Sequence, residues 1–281
     1  MPAPDPTAEP APPGESRNPP HYGDTMSDPS LERFFNELAA TYDLLYPDWP
    51  AAVAQQGRAL DAYVREALGD RRHSVLDCAC GIGTQAIGLA AAGHAVTGTD
   101  LSPVAVARAV AEAAARGLRL PVAAADMRRL PFRDAWFDAV VCADNSLAHL
   151  TTPDDVRTAL AAMRRVLRPG GQLLLGMRAY EDARRERREV LPARVTRLPH
   201  GGRAVTLQLW EWHEDGEHYD FDLIQLLPRG GTWEVRSRRT TSWALTREQV
   251  SGFVTAAGFE RLAWHEPSDS GYFQPLLTAR C

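Results

Sequence analysis

The stretch that decides the fold is VLDCACGIGTQ, residues Val75–Gln85, in which an apolar run ends in an acidic residue and a glycine-rich turn follows. The apolar run predicts a buried strand, and residues 86–92 predict a helix after the turn. Gly81 and Gly83 allow the backbone to pass close beneath a ligand, where a Cβ atom would collide. The N-terminus of the following helix carries a partial positive charge that would face the same ligand. This strand–turn–helix unit therefore predicts a binding site.

The alternation of strand and helix continues beyond this stretch. Further strands are predicted in AVTGTD, PVAAAD, FDAVVCAD and QLLLGM, with helices from 103 to 116 and from 153 to 167 between them. Strands that alternate with helices of this length indicate a parallel sheet that is covered on both faces. The predicted fold class is therefore α/β, with a Rossmann-like sheet.

A different pattern occupies residues 200–243. The segments RAVTLQLWEW, YDFDLIQLL and TWEVRSRRTTSW are separated by the turns HEDGEH and PRGG. Asp-Gly and Gly-Gly turns of this kind join antiparallel strands. We predict an antiparallel insert at 200–243 that forms a lid, followed by a helix and two last strands.

Composition bounds the domain organisation and the partners. Residues 1–28 are rich in Pro and nearly lack large apolar side chains, so we predict a disordered tail before one domain at 29–281. The net charge of −5 disfavours a nucleic-acid backbone as partner. No apolar run approaches the roughly 20 residues of a membrane helix, and no signal-peptide pattern is present. We expect a cytoplasmic protein without a nucleic-acid or membrane partner, and a homodimer is compatible with the sequence.

Acidic residues end three of the predicted strands, and we expect them to share one site. In open α/β sheets ligands bind outside the carboxyl ends of the strands, where Asp77, Asp100 and Asp126 lie. Asp77 can face a cation, Asp100 can accept from both hydroxyls of a ribose, and Asp126 can accept from an adenine amino group. Met127 can pack on the adenine ring.

The glycine turn leaves a second interpretation open. Gly81-x-Gly83-x-x-Ala86 also matches the dinucleotide-binding fingerprint, and Asp100 has a suitable spacing for it. A nicotinamide-dependent dehydrogenase is therefore an alternative. It is disfavoured because Asp77 would repel a pyrophosphate, and because the chain does not end in a second mononucleotide-binding half.

From about residue 40 to the end the chain resembles the class I S-adenosylmethionine (SAM) dependent methyltransferases, and within them the glycine and sarcosine N-methyltransferase group. The resemblance rests on YDLLYPDW, LDCACGIGTQ, ADMRRL, DNSLAHL, RAY, QLWEW and SGYFQPLLTAR. It implies a seven-stranded sheet whose last strand is antiparallel, with SAM as the cofactor. It also implies that Asp77 and the glycines border the methionine end, Asp100 the ribose, and Asp126 with Met127 the adenine.

The resemblance extends the expected cofactor site beyond these residues, because the segment at residues 41–49 folds over the cofactor in the family. The expected cofactor-binding residues are Tyr42, Trp49, Asp77, Ala79, Gly81, Gly83, Asp100, Leu101, Asp126, Met127 and Ala143. No metal site is predicted, because the Asp-Gly turn explains His213 and His218 better than metal binding does.

The expected catalytic residues are Tyr46, Asn145, His149 and Arg178. In the resembling family an Arg at the position of Arg178 grips the carboxylate of an amino-acid substrate, and the Asn of DNSLAHL contacts the same substrate. His149 fits a proton acceptor and a structural histidine, and Arg178 fits a substrate ligand and a surface residue.

Two features near these residues limit the assignment. Asp144 and Ser146 fit helix capping as well as function. Ala179 stands where the members closest in function usually have Asp or Asn, which disfavours glycine as the acceptor.

These residues predict an enzyme that transfers a methyl group from SAM to a small-molecule acceptor. The expected acceptor atom is an amine nitrogen of an amino-acid-like or specialised metabolite. The alternatives are carbon or oxygen methylation of a larger natural product such as an indole, a non-catalytic SAM-binding protein, and the dehydrogenase.

Overall fold

The computed structural model describes residues 29–198 and 201–281, and the predicted tail at 1–28 lies outside them. Its α-helices are α1 (Pro29–Leu38), α2 (Trp49–Leu68), α3 (Thr84–Ala91), α4 (Pro103–Ala114), α5 (Pro153–Val166), α6 (Glu181–Glu186), α7 (Arg247–Ala256) and α8 (Pro267–Ser270). Two 3₁₀ helices span Ala39–Leu45 and Ser146–His149. In the described part of the chain no helix combines the length and apolar character needed to cross a membrane.

The strands, numbered in chain order, divide into two sheets. They are β1 (Ser74–Asp77), β2 (Ala95–Asp100), β3 (Val122–Ala124), β4 (Phe137–Cys142), β5 (Leu167–Gly176), β6 (Val190–Arg197), β7 (Arg203–Trp212), β8 (His218–Arg229), β9 (Thr232–Trp243), β10 (Glu260–His265) and β11 (Leu276–Arg280). The larger sheet has the order β10-β11-β5-β4-β1-β2-β3, and the smaller one the order β6-β7-β8-β9.

The larger sheet is parallel except for its last strand in the chain. Strands β1 to β5 pair in parallel, whereas β11 is antiparallel to both β5 and β10. The predicted seven-stranded sheet with an antiparallel last strand is therefore confirmed. Because β1 to β4 run in one direction, the residues that end them meet at one edge of the sheet.

Two apolar cores cover the two faces of this sheet. Successive strand residues point to opposite faces, so Val75 packs with α2, α3 and α4, while Leu76 packs on the side of α5 and α7. Leu60, Leu160 and Val250 from the covering helices have no accessible surface. The sheet is thus buried on both sides, which explains its near-continuous apolar strands.

The smaller sheet, β6 to β9, is called the insert sheet below. It is antiparallel throughout, and its β7–β8 and β8–β9 hairpins are the ones predicted. It begins with β6 at Val190, earlier than the predicted boundary at residue 200. The sequence pattern of β6 is interrupted by Pro192, which has no amide hydrogen, and the pairing shifts register between Leu191 and Arg194. This irregular, charged strand lacks the alternation that reveals β7 to β9.

The first 3₁₀ helix joins the insert sheet to the larger one. Thr41 donates from its hydroxyl to Gln225 on β8 at 2.7 Å, and Gln225 donates back to the Thr41 carbonyl at 3.1 Å. The Thr196 hydroxyl on β6 lies 3.1 Å from the carbonyl oxygens of both Leu44 and Tyr46. Residues 39–46 are therefore held by buried polar contacts against the insert sheet.

Helices α2 and α3 cross with their backbones in contact. A Cβ atom on Gly57 would lie 2.5 Å from the Gly88 Cα, and one on Gly88 would lie 2.5 Å from the Val53 carbonyl oxygen. Neither glycine needs a left-handed backbone, so close approach alone selects the residue. This contact fixes the position at which α3 packs on the sheet, directly after the glycine turn.

We predict that Gly88→Ala lowers the free energy of unfolding by about 1–3 kcal/mol, because the added methyl group would force two backbones apart. Urea denaturation measures the difference. The control is Gly252→Ala in α7, where an added Cβ meets nothing within 4 Å. This control should leave stability unchanged or raise it by about 0.5–1 kcal/mol, because Ala favours the helix over Gly. Equal stability of the two variants would contradict the packing argument.

Candidate functional site

Two cavities adjoin at the carboxyl edge of the larger sheet. The strand-end cavity, of about 490 Å³, lies beyond β1 to β3, and the insert cavity, of about 420 Å³, lies between the insert sheet, α1 and the residues after β4. Their shared wall consists of Phe35, Tyr42 and His149, which line both. These three side chains are therefore accessible from both cavities.

The glycine turn shapes the floor of the strand-end cavity. Gly81 has φ +51°, and a Cβ atom there would meet nothing within 4 Å, so its backbone borders open space. Gly83 has φ +94°, and a Cβ atom there would lie 2.9 Å from the Ile87 side chain. Gly81 therefore lines the cavity, whereas Gly83 serves the turn and the packing of α3.

Asp100 ties this turn to the end of β2. One carboxylate oxygen accepts from the Gly81 amide at 2.8 Å, and the other accepts from the Ser102 amide at 2.8 Å. Burial raises the pKa of Asp100, and the two amide bonds oppose that shift. Each carboxylate oxygen can accept a second hydrogen bond, so Asp100 retains acceptor sites for ligand hydroxyls on the cavity side.

Asp77 is a fully buried carboxylate at the end of β1. Neither of its oxygens has a hydrogen-bond partner, although the nearby amides of Ala79 and Ala86 lower its pKa somewhat. Burial dominates and raises the pKa of Asp77 to about 7. A buried, unsatisfied carboxylate is costly unless a positive charge lies near it, so the site suits a cationic ligand group.

Asp126 and Met127 both line the strand-end cavity. Arg128 contacts the Asp126 carboxylate at 2.6 Å and the Asp155 carboxylate at 2.6 Å. This bridge was not predicted. It fixes the orientation of Asp126 and joins the end of β3 to α5.

Asn145 organises the part of the insert cavity that follows β4. Its side-chain nitrogen donates to the Tyr180 hydroxyl at 2.7 Å, and its side-chain oxygen accepts from the Arg178 amide at 3.1 Å. Asn145 therefore holds the loop after β5. The Arg178 guanidinium lies 5.1 Å from the centre of the Trp210 ring, and among the described residues it forms no ion pair.

Asp144 also lines the insert cavity, and the sequence did not distinguish it from a capping residue. It makes no helix cap. Instead, one carboxylate oxygen accepts from the Tyr46 hydroxyl at 2.6 Å and from the Tyr42 hydroxyl at 3.0 Å. Burial raises the pKa of Asp144, and the two tyrosine hydrogen bonds are the largest effects that lower it.

His149 stands between the cavities. Its ring packs edge-on against Phe35 at 5.1 Å, and Nδ1 lies 3.3 Å from the Ser242 hydroxyl on β9. Burial lowers the pKa of His149 to about 4, which a hydrogen bond to the Thr241 backbone only partly offsets. The imidazole is therefore neutral at neutral pH.

Most of the residues predicted from the sequence meet at these cavities. The strand-end cavity contains Tyr42, Ala79, Gly81, Asp100, Leu101, Asp126 and Met127, and the insert cavity contains Tyr46, Asn145, His149 and Arg178. Four predicted cofactor-binding residues line neither cavity: Trp49, Asp77, Gly83 and Ala143.

Trp49 is the clearest departure. Its indole nitrogen donates to the Thr84 hydroxyl at 2.9 Å, and the Arg116 guanidinium lies 4.8 Å from the centre of its ring. It therefore packs beneath the glycine turn, at the start of α3, and supports the site from outside. Within residues 29–198 and 201–281 no group of three or more acidic, His or Cys side chains is placed to hold a metal ion.

The sequence reasoning missed residues that reach the cavities from elements distant in the chain. The insert sheet contributes residues to both cavities, and α1 contributes Phe34 and Phe35. The residues from β8 and β9 at the strand-end cavity are Asp220, Arg239, Thr240 and Thr241. No sequence spacing signals these contacts, because they depend on where the insert sheet lies.

Comparison with known proteins finds similarity over part of the chain. Residues 75–171 match the family described as a methyltransferase domain. A glycine/sarcosine N-methyltransferase of Parasynechococcus marenigrum is 36% identical over 152 residues, which cover 53% of this chain and 52% of that protein. A demethylmenaquinone methyltransferase of Thermus thermophilus is 37% identical over 145 residues, which cover 50% of this chain and 62% of that protein. The chain thus spans about half to three fifths of these two relatives.

A solved structure has the same fold. It is the SAM-bound amino pentose methyltransferase CalS10 from Micromonospora echinaspora, involved in calicheamicin biosynthesis, with a TM-score of 0.67 and 23% identity. The similarity covers 86% of this chain and 94% of that one. The solved structure shows the fold, and the family match assigns residues 75–171 to a methyltransferase domain.

We predict that Asp77 makes the stability of the ligand-free protein depend on pH. Its pKa is higher in the folded chain than in the unfolded chain, so the folded state binds the proton more tightly. The stability that this proton contributes is present below about pH 4 and is lost as the pH rises to about 7. Relative to Asp77→Asn, the wild type should therefore lose stability between these pH values, by about 1.4 kcal/mol per unit of pKa shift.

Urea denaturation at several pH values, with Asp77→Asn beside the wild type, measures this effect. Asp134→Asn is the matched control, because the Asp134 side chain is 77% exposed. This control should follow the wild type at every pH. A stability difference between wild type and Asp77→Asn that stays constant over the range would contradict the prediction.

Proposed function

We propose that this chain is a class I SAM-dependent methyltransferase and that it transfers a methyl group from SAM to an amine nitrogen of a small-molecule acceptor. The observation that carries the proposal is the pair of adjoining cavities with the common wall of Phe35, Tyr42 and His149. A donor and an acceptor seated in the two cavities would meet at that wall. Holding two reactants at contact distance can supply up to ~7–11 kcal/mol of barrier lowering.

The strand-end cavity is proposed to hold the cofactor. When bound, SAM supplies an electrophilic methyl group on a positively charged sulfur. Gly81 would border its methionine end, and the unsatisfied carboxylate of Asp77, buried at the end of β1, would favour a cation nearby. Asp100 would accept from the ribose hydroxyls, and Asp126 with Met127 would contact the adenine. The cavity volume of about 490 Å³ lies within the usual range for small-molecule sites.

The insert cavity is proposed to hold the acceptor, with the insert sheet as a lid. Its volume of about 420 Å³ leaves room for an acceptor larger than glycine. Its apolar lining favours an acceptor with an apolar body, and the lining side chains of this kind are Phe34, Phe35, Leu38, Leu45, Leu191, Phe221, Leu223 and Phe273. Tyr46 and Asn145 supply polar groups beside this apolar surface.

Two observations support a nitrogen acceptor that also carries an anionic group. Arg178 presents a partly buried guanidinium without an ion-pair partner among the described residues, and this group matches a carboxylate in shape and charge. Among the similar proteins, one is named for N-methylation of glycine and sarcosine, and another for methylation of an amino pentose. An amine that also carries a carboxylate fits Arg178 and the first of these two names.

A second candidate is carbon or oxygen methylation of a larger natural product such as an indole. The apolar lining of the insert cavity favours it, and a further relative is named for a demethylmenaquinone. Such an acceptor would need no amine. It would use Arg178 only if it carried an anion.

The direct test incubates the purified protein with SAM and single acceptors, and detects S-adenosylhomocysteine and methylated product by mass spectrometry. The panel is glycine, L-phenylalanine, L-tryptophan, 2-phenylethylamine, tryptamine and indole. Product from amines supports the proposal, and product from indole alone supports the second candidate. Absence of S-adenosylhomocysteine with every acceptor contradicts both.

We predict that Arg178→Ala weakens the binding of acceptors that carry a carboxylate. Losing a charge-assisted hydrogen bond should cost about 1.5–3 kcal/mol in acceptor binding, or roughly 10- to 150-fold in KM. L-phenylalanine should show the loss, and 2-phenylethylamine, which lacks the carboxylate, should not. Steady-state kinetics with both amines measures it.

Arg185→Ala is the control, because the Arg185 side chain on α6 is 69% exposed. Its kinetics should match the wild type. An unchanged KM for L-phenylalanine in Arg178→Ala would reject the carboxylate role of Arg178.

A further inference from the structure

Asp144 is the single acidic side chain among the described residues that line the insert cavity. Arg178 and Arg194, on the same lining, lower the pKa of Asp144 through their charge. The lining of the insert cavity thus combines apolar side chains with two guanidinium groups and one carboxylate. Because only the carboxylate carries a negative charge, it is the group that would attract a positive group of the acceptor.

The backbone at Asp144 is held in an uncommon conformation. It has φ +51°, and the next residue, Asn145, has φ +67°, so two successive residues after β4 are left-handed. Such a conformation costs energy for a residue with a side chain, although Asp and Asn tolerate it better than most. The turn directs the Asp144 side chain to the insert cavity, where the two tyrosine hydroxyls meet it.

The tyrosines occupy one oxygen of the carboxylate and leave the other available. Both hydroxyls donate to Oδ2, at 2.6 Å from Tyr46 and 3.0 Å from Tyr42. Burial raises the pKa of both phenols well above its usual value, so they stay protonated and act as donors. Oδ1 accepts no hydrogen bond from the described residues. Tyr42 also lines the strand-end cavity, so the carboxylate that it contacts lies beside a residue of the wall between the cavities.

We propose that Asp144 binds the ammonium group of the acceptor and takes a proton from it, while Tyr42 and Tyr46 hold the carboxylate in position. This inference rests on the proposed methyl transfer to an amine. Asp144 is then a catalytic residue that touches the acceptor, and the two tyrosines are positioning residues.

The proton and the methyl group balance as follows. One N–H bond of the acceptor ammonium breaks and its proton passes to Asp144, which leaves a lone pair on nitrogen. That lone pair forms the new N–C bond as the C–S bond of SAM breaks, and the positive charge moves from sulfur to the methylated nitrogen. After the products leave, Asp144 returns its proton to solvent. Each turnover thus releases one proton.

Asp144 suits this role better than His149 does. The His149 ring already contacts the Ser242 hydroxyl and the Thr241 backbone, and it lies edge-on to Phe35. Burial raises the pKa of the Asp144 carboxyl and so brings it closer to that of an ammonium. The groups that face Asp144 from the surrounding elements are Tyr42, Tyr46, Tyr272, Arg178 and Arg194.

Asp144→Asn tests the proposal with little change in shape. Asn adopts a left-handed backbone as readily as Asp, and its side-chain oxygen can still accept from the tyrosines. With the panel amine that the wild type methylates fastest, kcat/KM should fall roughly 100-fold or more, since a general base contributes ~10²–10⁴-fold. SAM affinity, measured by calorimetry, should stay within about twofold of the wild type. Asp154→Asn is the control, because the Asp154 side chain is 93% exposed.

A second acceptor separates proton transfer from a structural role. The β,β-difluoro analogue of 2-phenylethylamine has nearly the same shape, but its fluorines withdraw electrons and lower the pKa of the ammonium group. At mildly alkaline pH the analogue is largely unprotonated, whereas 2-phenylethylamine remains an ammonium. With this acceptor the loss of kcat/KM caused by Asp144→Asn should be at least ~10-fold smaller than with 2-phenylethylamine. A structural defect would lower kcat/KM equally for both acceptors.

Each possible outcome of these experiments either supports or overturns the proposal. A large loss that shrinks with the fluorinated amine supports the proposal. If kcat/KM of Asp144→Asn stays within about threefold of the wild-type value, or if it falls equally for both amines, the proposal is overturned. The proposed methyl transfer would remain valid in either case. If the wild type forms no S-adenosylhomocysteine with any amine of the panel, the proposed function fails, and this inference fails with it.

Discussion

The hydrogen bond from the Gly81 amide to the Asp100 carboxylate ties the turn after β1 to the end of β2, and the candidate site depends on it. Gly81 itself is left-handed, a conformation that a residue with a Cβ atom rarely adopts. Through this bond the ends of two neighbouring strands share one polar edge. The close contact of Gly57 with Gly88 then seats α3 behind that edge.

The insert sheet converts this edge into two cavities. Thr41 and Gln225 exchange hydrogen bonds between the first 3₁₀ helix and β8, so Tyr42 and Tyr46 are held where the insert sheet meets the strand ends. Tyr42 lines both cavities and contacts Asp144, which lines only the insert cavity. The wall that separates the cavities is therefore supported from both sheets. This is why the proposed donor and acceptor sites adjoin although they are built from different parts of the chain.

Local sequence patterns predicted the parts of the molecule that local physics determines. The strand ends at Asp77 and Asp100 could be located because apolar strands, glycine turns and helices have their own periodicities, whereas β3 ends at Ala124, two residues before the predicted end at Asp126. Trp49 was placed in the cofactor site by resemblance, whereas its packing on Thr84 follows from the seating of α2, which no local pattern encodes. Strand β6 escaped prediction because Pro192 breaks its alternation. The contacts of Asp144 could not be predicted, because the two tyrosines that bind it lie about a hundred residues earlier in the chain.

The most direct test of the central claim is a crystal structure of the protein with S-adenosylhomocysteine. The account predicts the nucleoside in the strand-end cavity, with ribose hydroxyls on Asp100, adenine beside Met127, and the sulfur toward the wall formed by Phe35, Tyr42 and His149. Nucleoside density in the insert cavity, or a sulfur that points away from this wall, would contradict it.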